Sequence, residues 1–253
     1  MNAWLQERAP AGGATTRLFC FPPAGAGPAV FRTWAQALAP DVHVVGLRLP
    51  GREVRLHEAP ATDWTQLVDD VLAALAPRLD LPYVVFGHSF GGMLAYEAVR
   101  AVQTRGLPLP ARLVLAACRA PHRRPHVRAP YDAPGDELWR WIAALQGTPS
   151  LVLQDAALRA AFEPALRADL RLAEHWRGVD ATRLDVPLLT IAADADPIVQ
   201  PADVTAWRPY AARSYEHAAF AGGHFFFQEC EDDVLERLSL ICRGLAQPAS
   251  VPC

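Results

Sequence analysis

Tyr83-Val84-Val85-Phe86-Gly87-His88-Ser89-Phe90-Gly91-Gly92 decides the fold of this chain. Four strand-forming residues run into Gly-x-Ser-x-Gly, and Met93-Leu94-Ala95-Tyr96-Glu97-Ala98-Val99 follows with helical character. Strand, sharp turn and helix in that order make a nucleophile elbow, which exposes a serine Oγ at the C-terminal edge of a sheet. The backbone at such a serine is strained, so its neighbours must be small, and Gly87 and Gly91 meet that need. A bare Gly-x-Ser-x-Gly also arises by chance; the flanking strand and helix carry the reading.

Working outward, residues 16–21 read as a buried strand, followed by Pro22-Pro23-Ala24-Gly25-Ala26-Gly27. Phe31, Trp34 and Leu38 recur at helical spacing through Ala39. Residues 42–47 form a second apolar strand that ends in the turn Leu49-Pro50-Gly51-Arg52. Thr62 and Asp63 cap a helix carrying Leu67, Val71, Leu72 and Leu75, which stops near Pro77. Beyond the elbow, residues 113–117 are a continuous apolar run, the pattern of a parallel strand covered on both faces. The alternation breaks over residues 119–184, where helical segments at 137–145, 156–162 and 166–176 appear without a strand. It resumes with a strand at 186–192, a short helix at 202–207, a strand at 214–220 and a closing helix from about 228 to 245.

This pattern predicts an α/β fold: a doubly wound, mostly parallel sheet, with a helical lid at about 119–184 inserted before the strand that bears the acid. The whole chain, 1–253, is expected to be one domain with loose termini at about 1–14 and 247–253. A formal charge of −3 supplies no basic field, which argues against nucleic acid as a partner. All 24 cationic side chains are arginine, a bias we attribute to a GC-rich coding sequence. Cys20, Cys118, Cys230, Cys242 and Cys253 are odd in number and lack C-x-x-C spacing, so we expect reduced thiols and no metal site. With no apolar signal region beside Glu7 and Arg8 and no membrane-length apolar run, a cytoplasmic protein is expected.

A serine hydroxyl is a weak nucleophile until a base takes its proton, and the base must be oriented by a third group. In the α/β-hydrolase order the acid follows the serine and the histidine comes last, each on a loop at a strand's C-terminal end. Of the eight histidines, only His224, in Gly222-Gly223-His224-Phe225-Phe226-Phe227, follows the last strand and precedes the last helix. The acid lies in Ala193-Asp194-Ala195-Asp196-Pro197. Asp196 is preferred, because Pro197 biases it toward extended backbone; Asp194 is the alternative, with a turn-capping role if it is not the acid. Asp203 reads as a helix-start residue. The oxyanion hole is expected to use the backbone N–H of Phe90 and one from the loop after the first strand. Pro22 and Pro23 have no N–H, so Ala24 is the first donor available, with Gly25 and Ala26 as fallbacks.

From about residue 19 to residue 241 the chain resembles the type II thioesterases that accompany polyketide synthases and nonribosomal peptide synthetases. The resemblance rests on Cys20-Phe21-Pro22-Pro23-Ala24-Gly25, Phe31 and Trp34, Leu49-Pro50-Gly51-Arg52-Glu53, the elbow itself, Leu166-Arg167-Ala168-Asp169, Asp194-Ala195-Asp196-Pro197 and Gly222-Gly223-His224-Phe225-Phe226. Ala193 departs from it, standing where many relatives carry glycine. The resemblance implies hydrolysis of acyl or aminoacyl thioesters on the phosphopantetheine arm of an acyl or peptidyl carrier domain, through an acyl-Ser89 intermediate. It implies no cofactor and no metal, and a monomer is expected. A small-ester carboxylesterase or lipase, or an acyltransferase, would use the same three residues. Arg119, Arg123, Arg124 and Arg128, interleaved with His122 and His126, read either as a surface for an acidic carrier or as a solvated face. Trp139, Trp141, Leu145 and Leu151 read either as lining of an acyl pocket or as the packed side of a lid helix.

Overall fold

The computed structural model describes residues 3–8, 13–178 and 182–246. Seven strands form one sheet: β1 (Leu5–Arg8), β2 (Thr16–Phe21), β3 (Val42–Leu47), β4 (Tyr83–His88), β5 (Arg112–Ala116), β6 (Leu188–Ala193) and β7 (Tyr215–Phe220). Their spatial order is β1-β3-β2-β4-β5-β6-β7, and every pairing is parallel except β1 with β3. The helices are α1 (Trp34–Ala37), α2 (Trp64–Leu75), α3 (Phe90–Thr104), α4 (Gly135–Ala144), α5 (Ser150–Gln154), α6 (Ala156–His175), α7 (Pro201–Thr205), α8 (Phe226–Glu229) and α9 (Glu231–Ala246).

The apolar runs fold as strands because both faces of the sheet are covered. Along β2, Phe19 and Phe21 point to the side packed by α2 and α3, where Leu67, Val71, Leu94 and Val99 lie. Leu18 and Cys20 point to the opposite side, against Trp34 of α1 and Val234, Leu235 and Leu238 of α9. Alternating side chains therefore find an apolar partner on either face, which removes the polar alternation of a half-exposed strand. At the start of α2, Asp63 accepts the Gln66 N–H at 2.8 Å and caps the helix.

Three expectations need correction. Residues within the N-terminal arm read as loose are ordered: Leu5–Arg8 is an antiparallel edge strand on β3, with Leu5 buried. The surrounding Ala, Gly and Pro hide this four-residue strand, which covers what would otherwise be an open edge of β3. Of the other residues expected to be loose, 3–4 form a turn and 13–14 have no regular structure, while 1–2, 9–12 and 247–253, Cys253 among them, lie outside the described residues. The helix expected through Phe31, Trp34 and Leu38 is two short pieces, a 3-10 turn at Pro28–Phe31 and α1, although all three side chains reach the core. The lid helices expected at 156–162 and 166–176 are one helix, α6, that runs through Pro164. Proline removes one backbone donor, but Asp155 caps the helix by accepting from Ala157 and Leu158 N–H, and Ala165, Leu166, Asp169, Leu170 and Leu172 bury the following face. The helices α4 to α6 lie between β5 and β6 in the chain and hold a small cluster of their own, with Leu138, Trp139, Ile142, Leu166 and Leu170.

Candidate active site

Ser89 stands between the last residue of β4 and the first of α3, with φ 55° and ψ −119°. A positive φ at a side-chain-bearing residue costs on the order of 1–3 kcal/mol and persists only where its surroundings fix it. Here the Ser89 N–H donates to Ala116 O at 2.9 Å, while Ser89 O accepts from Gly92 and Met93 N–H at 2.9 and 3.2 Å. The turn is also too crowded for side chains on either side. A Cβ on Gly87 would lie 2.4 Å from Gly91 O, and one on Gly91 would lie 2.2 Å from Phe21 O and 2.5 Å from Pro22 O. Glycine at 91 thus lets the elbow sit directly against the end of β2 and the loop that follows it.

The loop after β7 brings His224 to the serine, with Nε2 3.0 Å from Ser89 Oγ. On its other side His224 Nδ1 lies 2.7 Å from Asp196 Oδ2, in the loop after β6. Asp196 Oδ1 accepts from Ile198 N–H at 2.9 Å and Val199 N–H at 3.0 Å, so the carboxylate is held from both ends. Burial works to raise its pKa, but the His224 bond and charge and the two backbone donors outweigh it, and the net shift is downward. Asp196 therefore stays ionised, as an orienting group for an imidazole should.

Asp194 does something else: its Oδ1 accepts the Gly222 N–H at 3.0 Å, and Ala195 N–H donates to Gly222 O at 3.0 Å. The acid loop and the histidine loop are thereby stitched together. His88, a position to which sequence reasoning assigned no role, holds the histidine loop from beneath. Its Nε2–H donates to His224 O at 2.8 Å, and its ring stacks on Phe225 and packs against Phe227. Burial first, and then the neighbouring His224 charge, lower its pKa from 6.5 to about 3, so His88 is neutral.

Above the serine, the loop after β2 presents few free donors. Gly25 N–H donates to Asp169 Oδ2 at 2.8 Å, and Ala26 N–H to Pro23 O at 3.1 Å. Ala24 N–H and Phe90 N–H, the latter at the first turn of α3, donate no hydrogen bond among the described residues. Ser89, His224, Asp196, Phe90 and Ala24 are thus gathered at the C-terminal ends of β2, β4, β6 and β7.

A family model described as a thioesterase domain matches residues 16–242. The chain belongs to the thioesterase family. It is 37% identical to the thioesterase RedJ from the prodiginine pathway of Streptomyces coelicolor, with a TM-score of 0.85 over 92% of this chain and 95% of that one. The type II thioesterase BorB from the borrelidin biosynthetic cluster is 31% identical, with a TM-score of 0.86 over 94% of this chain and 97% of that one. The gramicidin S biosynthesis protein GrsT of Aneurinibacillus migulanus is 29% identical over 97% of this chain and 94% of its own length. These likenesses and the mostly parallel sheet make the architecture an α/β-hydrolase fold.

In this thioesterase the arginines at the start of the lid region have separate partners. Arg119 is buried and donates to the carbonyls of Arg123, Ala173 and Trp176. Arg123 and His126 both reach Asp203, at 2.9 and 2.8 Å, and Asp203 also closes a capping box with Gln200. Arg128 pairs with Asp132 at the surface, and Arg124 is exposed as well. Trp139 and Leu145 are buried, with Trp139 Nε1–H donating to Glu163 at 2.8 Å, whereas Leu151 is exposed. Sequence reasoning also missed what Arg52 and Asp169 do. Both stand in motifs that carried the resemblance, but their partnership spans 117 residues, beyond any local pattern.

Proposed function

We propose that this thioesterase hydrolyses acyl or aminoacyl thioesters carried on the phosphopantetheine arm of acyl or peptidyl carrier domains, clearing stalled or misprimed units. The observation that carries the reading is the hydrogen-bonded series Ser89 Oγ, His224, Asp196, held in a chain that the thioesterase family model matches almost throughout. Its restriction to carrier-bound substrates rests on the likeness to the borrelidin type II thioesterase and to the gramicidin S and prodiginine pathway proteins.

Ser89 Oγ attacks the thioester carbonyl carbon while His224 Nε2 takes the hydroxyl proton, and Asp196 stabilises the imidazolium that forms. The negative charge that develops on the carbonyl oxygen is received by the N–H groups of Phe90 and Ala24. The tetrahedral intermediate collapses, the C–S bond breaks and the thiolate leaves with the proton from His224. A water molecule then gives its proton to His224 as its oxygen attacks the acyl-Ser89 ester. Collapse of that second intermediate returns the proton to Ser89 Oγ and frees the carboxylic acid.

Intact-protein mass spectrometry of an acyl-loaded carrier domain tests the proposal. The acyl mass should disappear with wild-type enzyme and persist with Ser89→Ala. A carrier that stays loaded while p-nitrophenyl butyrate turns over rapidly would instead make the protein an esterase acting on free small esters.

A further inference from the structure

We propose that Arg52 and Asp169 form a buried clamp that positions the oxyanion loop, which makes them positioning residues for thioester hydrolysis. The inference rests on the roles given above to Ser89, Ala24 and Phe90.

Three segments far apart in the chain converge here: the loop after β2, the turn after β3, and α6. Asp169 Oδ2 accepts both the Gly25 N–H at 2.8 Å and Arg52 Nη1–H at 2.7 Å, and its Oδ1 accepts from Arg52 Nη2 at 3.1 Å. Arg52 also donates from Nη1 to Ala26 O at 3.1 Å and from Nε and Nη2 to Pro50 O at 3.3 and 3.2 Å. Both charged side chains are almost wholly buried, at 3% and 0% exposure. The forked contact fixes the orientation of each partner as well as their separation.

The clamp decides which N–H the oxyanion loop offers. Gly25 has φ +73°, and Ala26 N–H bonds Pro23 O, the marks of a type II turn with glycine at its third position. In that turn the central peptide presents the Gly25 N–H away from the turn's own hydrogen bond, and Asp169 takes it. With Pro22 and Pro23 lacking donors and Ala26 committed to Pro23, Ala24 N–H is the one left to meet an oxyanion. The same loop is pressed against α6, where a Cβ on Gly25 would lie 3.0 Å from Leu166 Cδ1. Ala24 itself packs on the lid cluster that contains Leu166 and Leu170.

Charge explains why the clamp needs both members. A lone carboxylate under the loop would oppose the negative charge that develops on the thioester oxygen, and Arg52 cancels it. Stability alone does not account for such a pair, because burying two charges costs about what their attraction returns, and apolar replacements of similar size are often neutral. Position is what an apolar pair would fail to supply. A displacement of about 1 Å in a reacting geometry costs roughly a hundredfold in rate.

The test combines Arg52→Met with Asp169→Leu and measures hydrolysis of S-butyryl-N-acetylcysteamine alongside affinity for butylboronic acid. In the boronate adduct a Ser89 Oγ–boron bond forms, the hydroxyl proton passes to His224, and an oxygen of the anionic tetrahedral borate occupies the hole. The clamp predicts a kcat lower by about a hundredfold with KM within about twofold, and a boronate affinity weakened in step with kcat. The Gly25 N–H and the Ala26 and Pro50 carbonyls lose their partners, so the unfolding temperature should fall, and kcat is compared at a temperature where both proteins are fully folded. An unchanged kcat, or an activity loss that vanishes when corrected for the folded fraction, overturns the clamp. Should the double variant not fold, Asp169→Asn is read by the same criteria below its own unfolding temperature. Wild type and Ser89→Ala run beside it: boronate affinity independent of Ser89 would sink the nucleophile assignment itself, a failure visible without any clamp variant.

Discussion

Replacing His88 with glutamine isolates one buried titratable group by its effect on stability against pH. The folded protein keeps His88 neutral, since burial and then the His224 charge lower its pKa from 6.5 to about 3. Geometry agrees: Nε2–H has an acceptor in His224 O, while Nδ1 is buried with no hydrogen-bond partner. Protonating Nδ1 would create a buried donor with nothing to receive it. In the unfolded chain the same imidazole titrates near its ordinary value of about 6.5. Because the folded pKa is depressed, the stabilisation is complete above the unfolded pKa and is lost as pH falls below it. Over the roughly 1.5 pH units from 6.5 to about 5 the unfolded state holds nearly one more proton, and each unit is worth about 1.36 kcal/mol. Wild type should therefore lose about 2 kcal/mol at this residue between about pH 8 and pH 5.

Glutamine places a non-titrating donor near the position of Nε2, so its Nε2–H can still reach His224 O. Urea unfolding of both proteins at the two pH values gives four free energies. The change with pH should be smaller by about 2 kcal/mol in His88→Gln, whatever the variant's absolute stability. His43 and His217, also lowered by burial, and Asp196 titrate in both proteins and largely cancel in the comparison. Equal pH dependence in the two proteins would refute the argument. So would a His88 ring resonance that titrates near pH 6 in the folded wild type.

Three further outcomes follow from the same geometry. Asp196→Asn should lower kcat by about ten-thousandfold, because the amide cannot hold His224 in its working tautomer, whereas Asp194→Asn keeps an acceptor for Gly222 N–H and should leave kcat nearly intact; steady-state kinetics giving the reverse ranking would reassign the acid. Gly91→Ala pushes a methyl toward Phe21 O and Pro22 O, backbone atoms that cannot step aside, so the two oxyanion donors should separate and kcat fall by about a hundredfold, as single-turnover measurements would report. Arg119→Met leaves the Arg123, Ala173 and Trp176 carbonyls without their donor, so thermal unfolding should show a loss of about 2 kcal/mol while KM for an acyl-loaded carrier stays unchanged; a raised KM at constant stability would return Arg119 to the carrier surface.

What could be read from the sequence, and what could not, divides by the distance over which a signal acts. Thr16–Phe21, Val42–Leu47 and Tyr83–His88 are legible because burial on both faces favours a mostly apolar run without polar alternation, a property of adjacent residues. The positions of Ser89, Asp196 and His224 at strand ends are legible because each follows a strand and chain order fixes which strand. Composition misled where tertiary contact overrode it. Leu5–Arg8 forms a strand because β3 offers an edge, and α6 continues through Pro164 because its next turn is pinned to two loops. Arg52 and Asp169 were visible as motif letters without a role, since nothing near Arg52 foretells a carboxylate 117 residues away. Placing that ion pair against Gly25 N–H gives both motifs one physical cause. The turn after β3 and the middle of α6 are the two surfaces that hold the loop carrying Ala24, the proposed oxyanion donor. A serine hydrolase site of this kind needs its base and its oxyanion donors placed relative to the nucleophile, and here different long-range contacts do each job. His88 and Asp194 set the histidine loop, while Arg52 and Asp169 set the oxyanion loop. Variants that break a bond of the first pair, His88→Leu or Asp194→Ala, should therefore disturb proton transfer, seen in the pH profile of kcat, and variants of the second should disturb binding of tetrahedral anions with that profile unmoved.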